Sequence, residues 1–200
     1  MRSKLMKIIL ASKSPRRKEI LENLGLVFDI VVADADESCD IADPHGRVSA
    51  LAAIKGRAVK DMLGESGDTL IIACDTLVYA EGEFLGKPKD KDDARRMMGM
   101  LSGKAHSVLS GLYISLGEKE ISCAEETRVI FDEMTEDEIE SYIETKEPYD
   151  KAGAYAVQGL ASLYVNRLEG DYFNVVGLPV NLLYKTLKNQ FNVDFESLKG

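Results

Sequence analysis

The stretch Leu70-Ile71-Ile72-Ala73-Cys74-Asp75-Thr76-Leu77-Val78-Tyr79 constrains the fold more than any other segment of this 200-residue chain. It is a near-continuous apolar run, the pattern of a strand covered on both faces by other elements. Around it, strand-like and helix-like stretches alternate, which predicts an α/β fold. Lys7–Ala11 reads as a short strand. A helix follows with Ser14 as N-cap and Pro15 at its first position, carries Ile20, Leu21 and Leu24 inward, and stops at Gly25. Val27–Ala33 predicts a second strand and Asp34–Asp43 an acidic loop. Asp43 and Pro44 open a long helix that ends near Gly64. Glu81-Gly82-Glu83 turns the central strand back into Phe84-Leu85. Asp90 opens a helix through Leu101, closed at Gly103. Ser107–Leu116 and Ile121–Phe131 read as a hairpin about Gly117-Glu118-Lys119. Thr135 and Glu138 form a capping box for a helix to about Thr145. Tyr155–Gln158 and Leu163–Leu168 are strand candidates, Leu178-Pro179 opens a last helix through about Asn189, and the final ten residues read as frayed.

Composition excludes several function classes. Apolar residues make up 45% and charged residues 30%, an ordinary globular mix. A chain of this length buries about 70% of its unfolded surface and needs no disulfide or metal to fold. It reads as one domain, residues 1–200. The net charge of −9 argues against a general nucleic-acid binder, although converging cations can still hold a small anion. Cys39, Cys74 and Cys123 form no CxxC pair, so neither a zinc ribbon nor a redox motif is indicated. Free thiols and no signal-like N-terminus fit a reducing cytoplasm. No apolar window of membrane-spanning length occurs.

Three places break the local pattern. Arg16 and Arg17 sit in the first turn of a helix, where the dipole disfavours cations. A bound anion offsets that cost, and guanidinium forks suit phosphate oxygens; the plainer reading is two solvated arginines. Lys55 falls on an apolar stripe of the long helix formed by Val48, Leu51, Ala52, Ala58, Val59 and Met62. It must snorkel, find a partner or face a polar cleft; Arg57 and Lys60 read as solvated. Asp75 interrupts the central strand, which requires a paired carboxylate, a metal ligand or the strand's end. Gly86-Lys87-Pro88 presents a cation twelve residues on. Other motifs fail. There is no GxxxxGK[ST] loop. Gly64-Glu65-Ser66-Gly67 reads as a loop, His45 and His106 are not spaced as metal ligands, and Met97, Met98 and Met100 read as core filling.

Taken together, Leu10-Ala11-Ser12-Lys13-Ser14-Pro15-Arg16-Arg17, Asp36-Glu37-Ser38, Ala53-Ile54-Lys55, Asp75-Thr76, Gly86-Lys87-Pro88, Asp150-Lys151-Ala152-Gly153-Ala154-Tyr155, Gln158-Gly159 and Asp171–Pro179 resemble the signature of the Maf family in order. The resemblance extends to about Leu187. It implies a nucleoside triphosphate pyrophosphatase that uses Mg²⁺ or Mn²⁺. It also implies a fold like that of the inosine triphosphate pyrophosphatases, with an elongated mixed sheet, flanking helices and two lobes around a cleft. The family's link to septum formation implies a role in division or nucleotide housekeeping. Thr76 and Gln158 resemble the branch acting on dTTP and UTP rather than the 7-methyl-GTP branch, while Cys74 departs mildly from the family's usual Ala or Ser.

For the reaction that the resemblance implies, the residue types point to Asp75 as proton acceptor, with Glu37, Lys55 and Lys87 as further catalytic residues. Glu37 and Asp75 would hold the metal through hard oxygen ligands. Ser12, Ser14, Arg16, Arg17, Thr76 and Gln158 would bind substrate, with Arg16, Thr76 and Gln158 at the positions linked to substrate choice. Arg16, Arg17, Lys55 and Lys87 would clamp the triphosphate. The expected partner is a small nucleoside triphosphate, not nucleic acid or membrane, and a homodimer is the expected assembly. A nucleotide-binding regulator without turnover is the alternative, and a DNA-binding regulator would need a basic face the sequence lacks.

Overall fold

A computed structural model describes residues 6–64 and 67–199. Met1-Arg2-Ser3-Lys4 and the Glu65-Ser66 part of the expected loop lie outside the described residues. Among the described residues the strands form a mixed sheet in the order β2-β1-β3-β5-β6-β7, with β4 paired to β3. They are β1 (Lys7–Leu10), β2 (Asp29–Ile30), β3 (Thr69–Ala80), β4 (Glu83–Leu85), β5 (Ala105–Leu116), β6 (Lys119–Phe131) and β7 (Val165–Glu169). The helices are α1 (Pro15–Asn23), α2 (Pro44–Leu63), α3 (Lys91–Leu101), α4 (Glu136–Ile143), α5 (Tyr172–Val176) and α6 (Val180–Phe191). No described helix is long and apolar enough to cross a membrane.

The helix starts follow their local signals. Asp43 accepts from the Gly46 N–H and Asp90 from the Asp93 N–H. Thr135 and Glu138 complete a reciprocal capping box. Gly25 and Gly103 adopt the positive φ that a helix exit requires (80° and 68°).

The chain divides into two compact units. The first takes the chain up to Asp75, Ser110–Glu125 and the chain from Gly177 onward. In it β1 runs parallel to β2 and β3, with Leu10 opposite Ile30 and Ile72. Its core joins Ile9, Ala11, Ile71 and Ala73 to Ala52, Ala53 and Val59 of α2 and to Tyr113. Two glycines allow α2 to lie close to β5. A Cβ on Gly111 would stand 1.8 Å from the Val48 carbonyl oxygen, and one on Gly56 would stand 2.0 Å from the Tyr113 ring. Gly111→Ala should therefore lower stability by about 3 kcal/mol or more, since a backbone atom must move, as chemical denaturation would show.

The second unit takes Thr76–Leu109 and Glu126–Val176. In it β3 pairs antiparallel with β4, and β6 with β7. Met97, Met98 and Leu101 of α3 pack with Val108, Val129, Phe131 and Ile139, so the expected core role of Met97 and Met98 is observed, with Met100 partly buried beside them. His106 is buried, its Nε2 lies 2.7 Å from the Tyr155 hydroxyl, and its ring meets Phe131 and Tyr155 edge-on. Burial lowers its pKa to about 4. The unfolded chain binds this proton near pH 6.5, so the histidine's full contribution is present above that pH. It is lost as pH falls towards 4, by about 3 kcal/mol in all. His106→Gln should remove this part of the acid slope in denaturation midpoints taken between pH 7 and 4.

Several local expectations are corrected. Only Asp29–Ile30 of the expected Val27–Ala33 strand pairs, because it lies at the sheet edge and Val27 is 71% exposed. Tyr155–Gln158 is not a strand, since Gly153 and Ala154 before it take left-handed turns. The buried face of α2 is Val48, Leu51, Ala52, Ala53, Gly56 and Val59, and Met62 points outward. The tail is not frayed throughout. Phe195–Leu198 is a short 3₁₀ helix, and Leu198 is buried.

Candidate active site

Lys55, Asp75 and Glu37 come together in the first unit. Lys55 projects from α2, Asp75 from β3, and Glu37 from the acidic loop before α2. The Lys55 ammonium donates to Asp75 Oδ1 and lies 3.0 Å from Glu37 Oε2. Asp75 is buried and Glu37 exposed. Of the three options for Lys55, it has found partners, and the carboxylate in the strand is paired. Burial alone would lower the Lys55 pKa, but Asp75, then Glu37, more than offset it, and the amine is held above its ordinary value. Arg57 and Lys60 are not simply solvated, because both reach Glu120 on β6.

The β1–α1 junction lies beside this group. Ala11 N–H donates to the Ile72 carbonyl, extending the β1–β3 register towards Cys74. Arg17 Nε donates to the Gly177 carbonyl (2.8 Å) and Nη1 to Ser12 Oγ (3.1 Å). The Cys74 thiol donates to the same Gly177 carbonyl (3.3 Å), one residue before Asp75. Gly177 holds this turn at a φ of 126°, which favours glycine. Arg17 is thus engaged with the protein, not merely solvated. Ser14 has the extended backbone of an N-cap, but its hydroxyl makes no capping bond. Its N–H donates to Ser12 Oγ instead (3.2 Å). That oxygen accepts two bonds, so what the Ser12 hydroxyl retains is its proton, a donor suited to an anion. Arg16 stands half-exposed in the same turn.

Thr76, Lys87 and Gln158 belong to the second unit. Thr76 follows Asp75 on β3, and Lys87 and Gln158 are exposed. The Gly153 N–H donates to the Gly86 carbonyl at 3.0 Å, fixing the turn that carries Lys87. Glu147 was missed by sequence reasoning. Its carboxylate accepts from the backbone just after Gln158, at Leu160 N (2.8 Å) and Ala161 N (3.3 Å). No local pattern marks it, because its partners lie thirteen and fourteen residues on.

Among the described residues no group of three or more His, Cys, Asp or Glu side chains could hold a metal. Two carboxylates converging on one ammonium nevertheless fit a hard divalent cation. Mg²⁺ is commonly held by one or two carboxylates together with substrate phosphates.

The family model described as Maf-like protein matches residues 7–190. The chain belongs to the Maf family. Relatives from Bacillus anthracis and Bacillus cereus, each named dTTP/UTP pyrophosphatase, are 44% identical over 191 residues, which cover 95% of this Maf chain and 98% of theirs. The solved Ham1 protein of Staphylococcus aureus matches with a TM-score of 0.53 and 13% identity, over 92% of this chain and 99% of that one, and shares the fold. The expected mixed sheet with flanking helices is therefore observed in this Maf protein.

Proposed function

We propose that this Maf protein hydrolyses dTTP and UTP to the nucleoside monophosphate and pyrophosphate. The observation that carries the reading is the buried Asp75 paired with Lys55 and joined by Glu37, beside the Ser12–Arg17 junction. The 44% identity to proteins named for that activity supports it.

The reaction is in-line attack of water on the α-phosphorus, with pyrophosphate leaving. Positioning and charge stabilisation do most of the work in such a transfer. Asp75 accepts the proton of the attacking water, and Lys55 holds its carboxylate in place. Ser12 and Ser14 bind phosphate oxygens, and Arg16, Arg17, Lys55 and Lys87 balance the triphosphate charge. Mg²⁺ or Mn²⁺, held by Glu37 and Asp75, supplies further charge neutralisation when bound. Gln158 reads the base. Its amide matches the O4 and N3–H edge shared by thymine and uracil, and cytosine reverses that pattern. Thr76 joins Arg16 and Gln158 in substrate choice. The protein acts in the cytoplasm, as a homodimer, on a small-molecule substrate rather than on nucleic acid or a membrane.

The test is pyrophosphate release from dTTP, UTP, CTP, GTP and 7-methyl-GTP, with each metal. Metal-dependent release from dTTP and UTP is expected, with a preference over CTP that Gln158→Ala lowers by about tenfold. Release from 7-methyl-GTP alone would overturn the branch assignment. Tight binding with no release would favour the regulator.

A further inference from the structure

Gln158 can discriminate pyrimidines only if its amide presents one edge, and the turn that carries it is weakly held by packing. Gln158 is exposed, and the 3₁₀ helix Leu160–Leu163 follows directly after Gly159. Leu160 and Leu163 are 51% and 75% exposed, and Ala161 is the buried residue of that helix. A single 3₁₀ turn has little intrinsic stability.

Glu147 supplies what packing does not. Its carboxylate accepts from Leu160 N–H (2.8 Å), Ala161 N–H (3.3 Å) and the Tyr142 hydroxyl (3.0 Å). An ionised carboxylate is an acceptor only, and here it meets three donors. Tyr142 is buried on α4, and its oxygen also lies 3.2 Å from the Ala154 carbonyl. Burial, then the neighbouring Glu147 charge, push its phenol well above the usual range, so it remains a donor. Gly159 is in contact with the same group. A Cβ there would stand 2.3 Å from Glu147 Oε2.

We propose that Glu147, anchored by Tyr142, is a positioning residue for pyrimidine selectivity, because it fixes the Gln158–Gly159 turn and so the amide edge that meets the base. This rests on the reading of Gln158 as the base-reading residue. Released from Glu147, the turn lets the amide present its other edge to cytosine. The expected signature is therefore improved use of CTP, which a general loss of structure would not give.

The experiment measures kcat and KM for UTP and CTP, together with Tm, in Glu147→Ala, Glu147→Gln, Gly159→Ala, the Glu147→Ala/Gly159→Ala double variant and Gln158→Ala. In Glu147→Ala the UTP-over-CTP ratio of kcat/KM should fall about tenfold, through KM, with CTP use rising. Glu147→Gln keeps one acceptor oxygen and should fall less. Gly159 has a negative φ of −115°, so alanine needs no left-handed backbone there, and the three atoms nearest its Cβ all belong to the Glu147 carboxyl group. Gly159→Ala alone should therefore reproduce the loss, and in the double variant it should add nothing. Should Glu147→Ala not fold, Glu147→Gln and Gly159→Ala carry the test. If Gln158→Ala lowers the ratio while the Glu147 and Gly159 variants lower only Tm, the positioning role is overturned and base reading stands. If Gln158→Ala leaves the ratio unchanged, both fall.

Discussion

Asp75→Asn should reduce kcat for pyrophosphate release from dTTP by about a thousandfold, the scale of losing a positioned general base. The amide has the carboxylate's shape but cannot take the proton. Lys55 keeps Glu37 as a partner, so the fold should survive. A variant that retained about a tenth of wild-type kcat or more would exclude Asp75 as proton acceptor. Nucleotide affinity, measured by calorimetry, should change far less than kcat, because Ser12, Arg16 and Arg17, the proposed phosphate-binding residues, are untouched.

Lys55→Met should damage both activity and stability. It leaves the Asp75 carboxylate, with a side chain 13% exposed, beside an apolar group. Stranding one partner of a buried pair costs about 3 kcal/mol. The Glu37 contact adds little, because that side chain is 55% exposed and screened by water. The Lys55 pKa is raised in the folded protein. Its contribution is therefore complete below the unfolded value near 10.5 and is lost only as pH rises through the higher folded value. Between pH 6 and 9, Lys55→Met should differ from wild type by a nearly constant amount. The Lys55→Met/Asp75→Asn pair should regain most of the stability and none of the activity. A Lys55→Met variant as stable as wild type would show that the pair contributes nothing to the fold.

Much of this protein was legible from local chemistry. Ser14-Pro15, Asp43-Pro44, Asp90 and the Thr135–Glu138 box place helix starts within a residue or two of those observed, because capping depends on neighbours in sequence. The apolar run around Asp75 marked a covered strand, and Lys55 and Asp75 were conspicuous as charges where none should sit unpaired. That they pair with each other could not be read, since β1–β3 register and the approach of α2 bring them together. The same holds for Gly111 under Val48, for the outward turn of Met62 and for the Gly177 carbonyl shared by Arg17 and Cys74. The rest of the expected Val27–Ala33 strand and the Tyr155 segment are not strands for a related reason. Strand propensity needs a partner with free backbone groups, and tertiary placement decides who has one. Local patterns mark most helix starts, the covered central strand and the α/β class of fold, because caps and periodicity act between neighbours in the chain. Which charges meet, and the bracing of the turn after Gln158 by Glu147, follow from the folded arrangement alone, because such contacts join groups far apart in the chain.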